Sequence, residues 1–181
     1  MTNIVKFIMA LAVVMLEFSC VGDPEPDAAE YITTGMTVPS FSVEGAGGMR
    51  FESPEDFAGR TTLLVFFATW CPQCGKEMPA INEVWEAVRQ DADKNVIAIS
   101  RGGEGKYEQS ESTISAYWAE NGYGMSWYLD PDRSVYDLFA ESSIPRMYII
   151  DRTGTVVWQG VSPELDADSY LEMLNRIGSA G

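Results

Sequence analysis

Between Thr62 and Ala68 the chain reads TLLVFFA, with no polar alternation, which predicts a strand covered on both faces. Val96-Ile97-Ala98-Ile99 reads as a second buried strand and Ser126 to Leu129 as a third. After the first strand, Met78, Ile81, Val84, Trp85 and Val88 recur at helical spacing, with Pro79 inside and expected to kink the helix. Ser112 to Asn121 reads as a helix ending at Gly122, and Ser134 to Ala140 as another, after a turn at Asp130-Pro131-Asp132. Val38 to Val43 and Met49 to Phe51 flank a Gly-rich turn and predict a β-hairpin, followed by a short helical turn at Pro54 to Phe57. Met147 to Ile150 and Thr155 to Trp158 predict a second hairpin around Asp151-Arg152-Thr153-Gly154. Asp166 to Ile177 closes the chain as an amphipathic helix, with Tyr170, Leu171, Leu174 and Ile177 on its buried side. Alternating strands and helices with no internal repeat predict an α/β fold with a mixed sheet. The aromatics Tyr117, Trp118, Tyr123, Trp127 and Tyr128 have the spacing of core residues rather than of a ligand box.

The first residues follow a different pattern. Lys6 precedes ten apolar residues, Phe7 to Leu16, too few to span a bilayer as a helix but suited to an export signal over residues 1–19. Ser19-Cys20 resembles the cleavage and lipidation site of a bacterial lipoprotein, although Glu17 and the bulky Phe18 depart from that pattern. An ordinary secretory signal with an incidental Cys20 is the alternative. The acidic, Pro-containing stretch that follows (VGDPEPDAAE) reads as a tether, placed at 20–32, ahead of a folded domain at 33–181.

Charge and composition narrow the function. The formal net charge of −15 argues against binding nucleic acid through a basic face. The 181 residues contain no histidine, which removes Ser-His and Cys-His catalysis and the usual metal ligands. Arg101 to Gln109 (RGGEGKYEQ) is Gly-rich but lacks the spacing of a phosphate-binding loop, and no flavin or nicotinamide fingerprint is present, so no cofactor is expected. Three cysteines are too few for a disulfide-stapled scaffold.

Two of those cysteines form Trp70-Cys71-Pro72-Gln73-Cys74, between the first strand and its helix. Such a pair can close a disulfide or give two sulfurs to a metal; a zinc site needs about four protein ligands, and this chain cannot supply them. A thiol in the first helical turn lies where unpaired N–H groups favour an anion, which lowers its pKa and supplies the attacking thiolate. A redox pair is therefore the favoured reading, with a structural disulfide as the alternative.

The order of strand, Trp-Cys-x-x-Cys, Pro-containing helix and later Ile144-Pro145 resembles the thioredoxin superfamily. More narrowly it is similar to membrane-tethered reductases of the TlpA/ResA type, through GMTVPSF (35–41), FFATWCPQC (66–74), Glu77-Met78-Pro79, Leu129-Asp130-Pro131 and Ile149-Ile150-Asp151. The resemblance covers about residues 33–178. It implies a thioredoxin-like mixed sheet flanked by helices, with an N-terminal β-hairpin extension. It makes Cys71 the exposed attacking thiol, Cys74 the buried resolving thiol, and Pro145 a cis-proline whose loop pairs with an extended substrate. Glu77 matches the glutamate of the Cys-x-x-Glu-x-Pro motif and would accept the Cys74 proton, whereas Val65 stands where thioredoxin itself carries an acid. Arg146 replaces the more usual Thr and is expected to stabilise the Cys71 thiolate or attract substrate, with a solvent-facing side chain as the plain alternative. Trp70, Pro72, Gln73 and Ile144 complete the expected substrate rim.

The resemblance thus implies a lipid-anchored reductase of the bacterial cell envelope, facing the periplasm or the cell surface. It would be a monomer that reduces protein disulfides, such as those of apocytochromes or damaged envelope proteins, with electrons from a membrane thiol–disulfide donor. A thiol peroxidase is the second enzyme reading, but Ala68 occupies the place of the Thr or Ser three residues before a peroxidatic cysteine. A binding module that only borrows the fold is the third.

Overall fold

The computed structural model describes residues 30–178. The expected signal, Cys20 and most of the tether lie outside the described residues. Seven strands form one sheet in the order β2-β1-β5-β4-β3-β6-β7. They are β1 (Phe41–Gly45), β2 (Arg50–Ser53), β3 (Thr61–Phe67), β4 (Lys94–Arg101), β5 (Ser126–Asp130), β6 (Arg146–Ile150) and β7 (Val156–Val161). The helices are α1 (Pro72–Val88), α2 (Glu111–Asn121), α3 (Tyr136–Phe139) and α4 (Ala167–Gly178). β3, β4 and β5 run parallel, and the two hairpins add antiparallel partners at either side. The first hairpin is thus the edge of the main sheet.

β3 is buried along its whole length because both faces are covered. Leu63, Val65 and Phe67 point into a core shared with Cys74, Met78, Ile81 and Leu174. Leu64 and Phe66 point into the opposite core, with Phe51, Phe57, Tyr136, Phe139 and Tyr148. α1 runs unbroken through Pro79. α2 is capped by the Ser110 hydroxyl at its start and by Gly122 at its end, where φ is +68° and a side chain would be strained.

One expectation is corrected. The helix expected over 134–140 shortens to α3, because the Asp130 carboxylate takes the N–H groups of Val135 (3.1 Å) and Tyr136 (2.7 Å), and Ala140 is extended and bridged to Glu30. Residues just ahead of 33 are tied to the fold. Tyr31 and Ile32 both donate backbone hydrogen bonds to the Phe139 carbonyl, and Ile32 is buried. Among the described residues no helix is long and apolar enough to cross a membrane.

Candidate active site

Cys71 is the N-cap residue of α1. Its Sγ accepts the N–H of Cys74 at 3.1 Å, and Pro72 opens the first turn, where a missing N–H costs nothing. The two sulfurs are joined in a disulfide, with the Cα atoms 5.3 Å apart. Cys74 is fully buried, while Cys71 keeps 8% exposure, so approach from solvent is to Cys71. Pro72 is exposed and Gln73 half-buried. The amide that meets Cys71 Sγ now would meet a thiolate in the reduced protein, and the helix N-terminus would favour that charge.

The segment before β6 faces this pair. The Ile144–Pro145 peptide is cis, as the resemblance implied, and so is Ser53–Pro54, which nothing in the sequence singled out. The Ile144 carbonyl oxygen lies 3.6 Å from Cys71 Sγ. Pro145 is buried, and its own carbonyl accepts the Ser162 N–H at 3.0 Å, tying the loop to the end of β7. Cys71 and Pro145 therefore share one surface.

Glu77 lies one turn after Cys74 on α1 and is only 3% exposed. One carboxylate oxygen accepts the Glu164 N–H at 2.8 Å; the other is buried with no hydrogen-bond partner among the described residues. Burial raises its pKa, the Glu164 N–H partly offsets this, and the Glu164 carboxylate raises it further. Tyr170 of α4, its hydroxyl also buried and unpartnered, is pushed up by burial and then by the Glu77 charge. The carboxyl thus sits one helical turn from Cys74, in surroundings that favour its protonated form. Val65, at the alternative acid position, is buried in the same core and supplies no carboxylate.

Trp70 is half-buried at the rim, where its Nε1–H donates to the Tyr107 carbonyl at 3.2 Å and its ring lies 4.7 Å from the Tyr107 ring. Gln73 Nε2 donates to the Glu164 carboxylate at 3.0 Å, linking the exposed face of the motif to the loop that holds Glu77. Three contributors escaped the sequence reading: Gln109, Tyr107 and Glu164. Buried Gln109 offers its carbonyl oxygen to the N–H and hydroxyl of Thr69, both at 3.1 Å, and so fixes the segment entering the motif. The residues come from loops that pattern alone left unassigned, and no local signal marks them. Ala68 lies in the apolar core, so no hydroxyl stands three residues before Cys71 for peroxidase chemistry.

Arg146 departs from expectation. It pairs in register with Phe66, so it leaves the sheet on the face opposite the cysteines, and it is 2% exposed. Its guanidinium bonds Glu30 at 2.7 Å and the Ser142 carbonyl at 2.9 Å. Burial opposes the charge, but the Glu30 carboxylate holds the pKa above its ordinary value. Period two in a strand explains the outcome: the residue after Pro145 points away from whatever Pro145 faces. Arg146 is part of the fold, not of the substrate rim.

A family model described as the AhpC/TSA family matches residues 34–159. Thiol-disulfide oxidoreductase ResA of Bacillus subtilis (strain 168) is 30% identical over 156 residues, covering 84% of this chain and 82% of that protein. Among solved structures, a thiol:disulfide interchange protein of the thioredoxin family from Chlorobium tepidum TLS has a TM-score of 0.67 at 20% identity, covering 81% of this chain and 98% of that one. The pneumococcal exposed lipoprotein thioredoxin (Etrx1) from Streptococcus pneumoniae strain TIGR4 has a TM-score of 0.64 at 23% identity, covering 76% and 99%. At that identity the two structures speak for the fold, which is thioredoxin-like. With its helix-capping Cys71–Cys74 pair, the chain belongs to the AhpC/TSA family, within the thioredoxin superfamily, as a thiol–disulfide oxidoreductase of the ResA type.

Proposed function

We propose that the protein is an exported, lipid-anchored reductase of protein disulfides in the bacterial cell envelope, working through a mixed disulfide on Cys71. One observation carries this reading: Cys71, the less buried of the pair, caps α1, faces the cis-Pro145 loop, and has fully buried Cys74 behind it. In the reduced protein the Cys71 thiolate attacks one sulfur of the substrate disulfide, and the other substrate sulfur leaves as a thiolate. Cys74 gives its proton to Glu77 and attacks Cys71 Sγ, re-forming the Cys71–Cys74 bond and expelling the second substrate thiolate. Two electrons pass from the protein dithiol to the substrate, whose two thiols take up the two protons that Cys71 and Cys74 gave up. An extended substrate segment pairs with the backbone at Ile144 and Pro145, while Trp70, Pro72 and Gln73 form the rim. A membrane dithiol donor restores the reduced pair, and lipid on Cys20 keeps the domain near that donor.

Trapping tests the reading. The Cys74→Ser protein incubated with a disulfide-containing protein accumulates a covalent adduct through Cys71 that dithiothreitol releases, and Cys71→Ser forms none. Absence of adduct from Cys74→Ser, with the dithiol intact in the parent, overturns the mechanism. Cys20→Ala should move the protein from the membrane to the soluble envelope fraction; unchanged membrane association overturns the anchor.

A further inference from the structure

Beside the active site, on the far side of Trp70, lies a cleft of about 990 Å³ that the mechanism above does not use. Trp70 and Tyr107 form one wall, Gly102 and Gly103 part of the floor, and Pro131 to Arg133 the opposite wall. Gly102 packs directly on Pro131, where a Cβ would lie 2.2 Å from the Pro131 carbonyl oxygen, so only glycine lets these two parts of the lining meet. The last residue of β4, Arg101, reaches into this cleft between two rings, 5.8 Å from the centre of Trp70 and 5.3 Å from that of Tyr136.

Its hydrogen bonding sets Arg101 apart. The other cation of the cleft, Arg133, is held by the Asp137 carboxylate at 2.7 Å and the Glu141 carbonyl at 2.8 Å. No carboxylate, carbonyl or hydroxyl among the described residues accepts from the Arg101 guanidinium, and its Nε is buried without a partner. A half-buried guanidinium without an acceptor is unfavourable, and the two cation–π contacts hold it without satisfying its N–H groups. Burial, followed by the neighbouring Arg133 charge, lowers the pKa of Arg101. An arriving anion would relieve both effects. The rim carries Glu104, Glu108, Asp132 and Asp137, the last paired with Arg133 and also felt by Arg101, and all act against an anion at long range. They lie at the solvent-facing edge, where salt screens them, whereas a fork–carboxylate contact at Arg101 is short-range and partly desolvated.

We propose that this cleft is a substrate subsite in which Arg101 binds a carboxylate side chain on the substrate segment next to the disulfide under attack. The inference rests on the thiol–disulfide reading of the site. Trp70 gives the two sites a common wall: it immediately precedes Cys71 and closes one side of the cleft. A substrate held at Cys71 therefore presents its neighbouring residues to Arg101.

The test uses the full-length protein and short peptides with one internal disulfide, in which Glu or Gln is scanned through three positions on each side of the attacked cysteine. At one position the Glu peptide should be reduced with kcat/KM about tenfold higher than its Gln counterpart, through KM, as one charge-assisted contact permits. That preference should survive in high salt, fall in Arg101→Lys, which keeps the charge but loses the fork, and vanish in Arg101→Gln. If the wild-type protein reduces Glu and Gln peptides alike at every position, the subsite is overturned while the thiol–disulfide reading stands, and that scan needs no variant to fold. A Glu preference that persists in Arg101→Gln assigns the carboxylate elsewhere and also overturns the proposal. Reduction of none of the peptides sinks the underlying reading, and this subsite with it.

Discussion

Glu77 and Arg146 sit on opposite faces of the same sheet, each almost fully buried, and their charges are handled in opposite ways. Arg146 donates to the Glu30 carboxylate and to a backbone carbonyl, with only its Nε unpartnered among the described residues. Glu77 has one backbone N–H for one oxygen, no partner among the described residues for the other, and a second carboxylate nearby. A buried ion beside an opposite charge ties parts of a fold together; one beside a like charge lies ready to change its protonation. Burial alone would not separate the two roles, and each side chain leaves one buried atom unpartnered; the charge of the neighbour separates them.

Breaking the ion pair should give the largest effect. Arg146→Met leaves Glu30 without its cation and should lower stability by about 3 kcal/mol, the low end for losing one member of a buried pair because Glu30 is partly exposed. Disulfide reduction by the folded variant should stay near wild type. A sharp loss of rate with unchanged denaturation midpoint would move Arg146 back into the site and dissolve the contrast.

Glu77→Gln should do the reverse. Loss of a general base predicts reduction at pH 7 slowed about a hundredfold in the resolving step, seen as accumulated mixed disulfide. Stability carries the opposite sign. Because the folded protein raises this pKa, the carboxyl's contribution is fully present below its ordinary value and is lost as pH rises through the raised value. Relative to Glu77→Gln, wild-type stability should therefore decline across that window, a trend that urea titrations at several pH values would show. A rate that matches wild type from pH 6 to 9 would remove Glu77 from the chemistry.

Glu30→Gln keeps an acceptor but leaves the buried Arg146 charge without its anion, so a loss of about 2 kcal/mol is expected. In a double-mutant cycle with Arg146→Met the two changes should be strongly non-additive. Gln73→Ala breaks only an exposed contact to Glu164 and should alter stability by less than about 0.5 kcal/mol.

Legibility in the sequence followed the range of the interaction. The buried run of β3 and the periodicity of α1 and α4 are local patterns, so their elements stand where the residues predicted them. The cysteine pair and Pro145 were legible because their chemistry is bound to residue type. Arg146 misled because its neighbour Pro145 suggested a shared role, and only strand alternation sends it to the other face. Glu30 was hidden in an acidic stretch whose composition says nothing of a partner 116 residues away. Arg101 and Gln109 looked like ordinary parts of a Gly-rich loop, since their importance comes from what surrounds them in space.

The most direct measurement is the reduction potential of the Cys71–Cys74 couple in the purified protein, by equilibration against glutathione and thioredoxin buffers. A reductase fed by a membrane donor predicts a reversible two-electron couple near the thioredoxin value of about −270 mV. A couple near about −120 mV would make the protein a strong oxidant and reverse the proposed electron flow, and no reversible couple at all would contradict the enzyme itself.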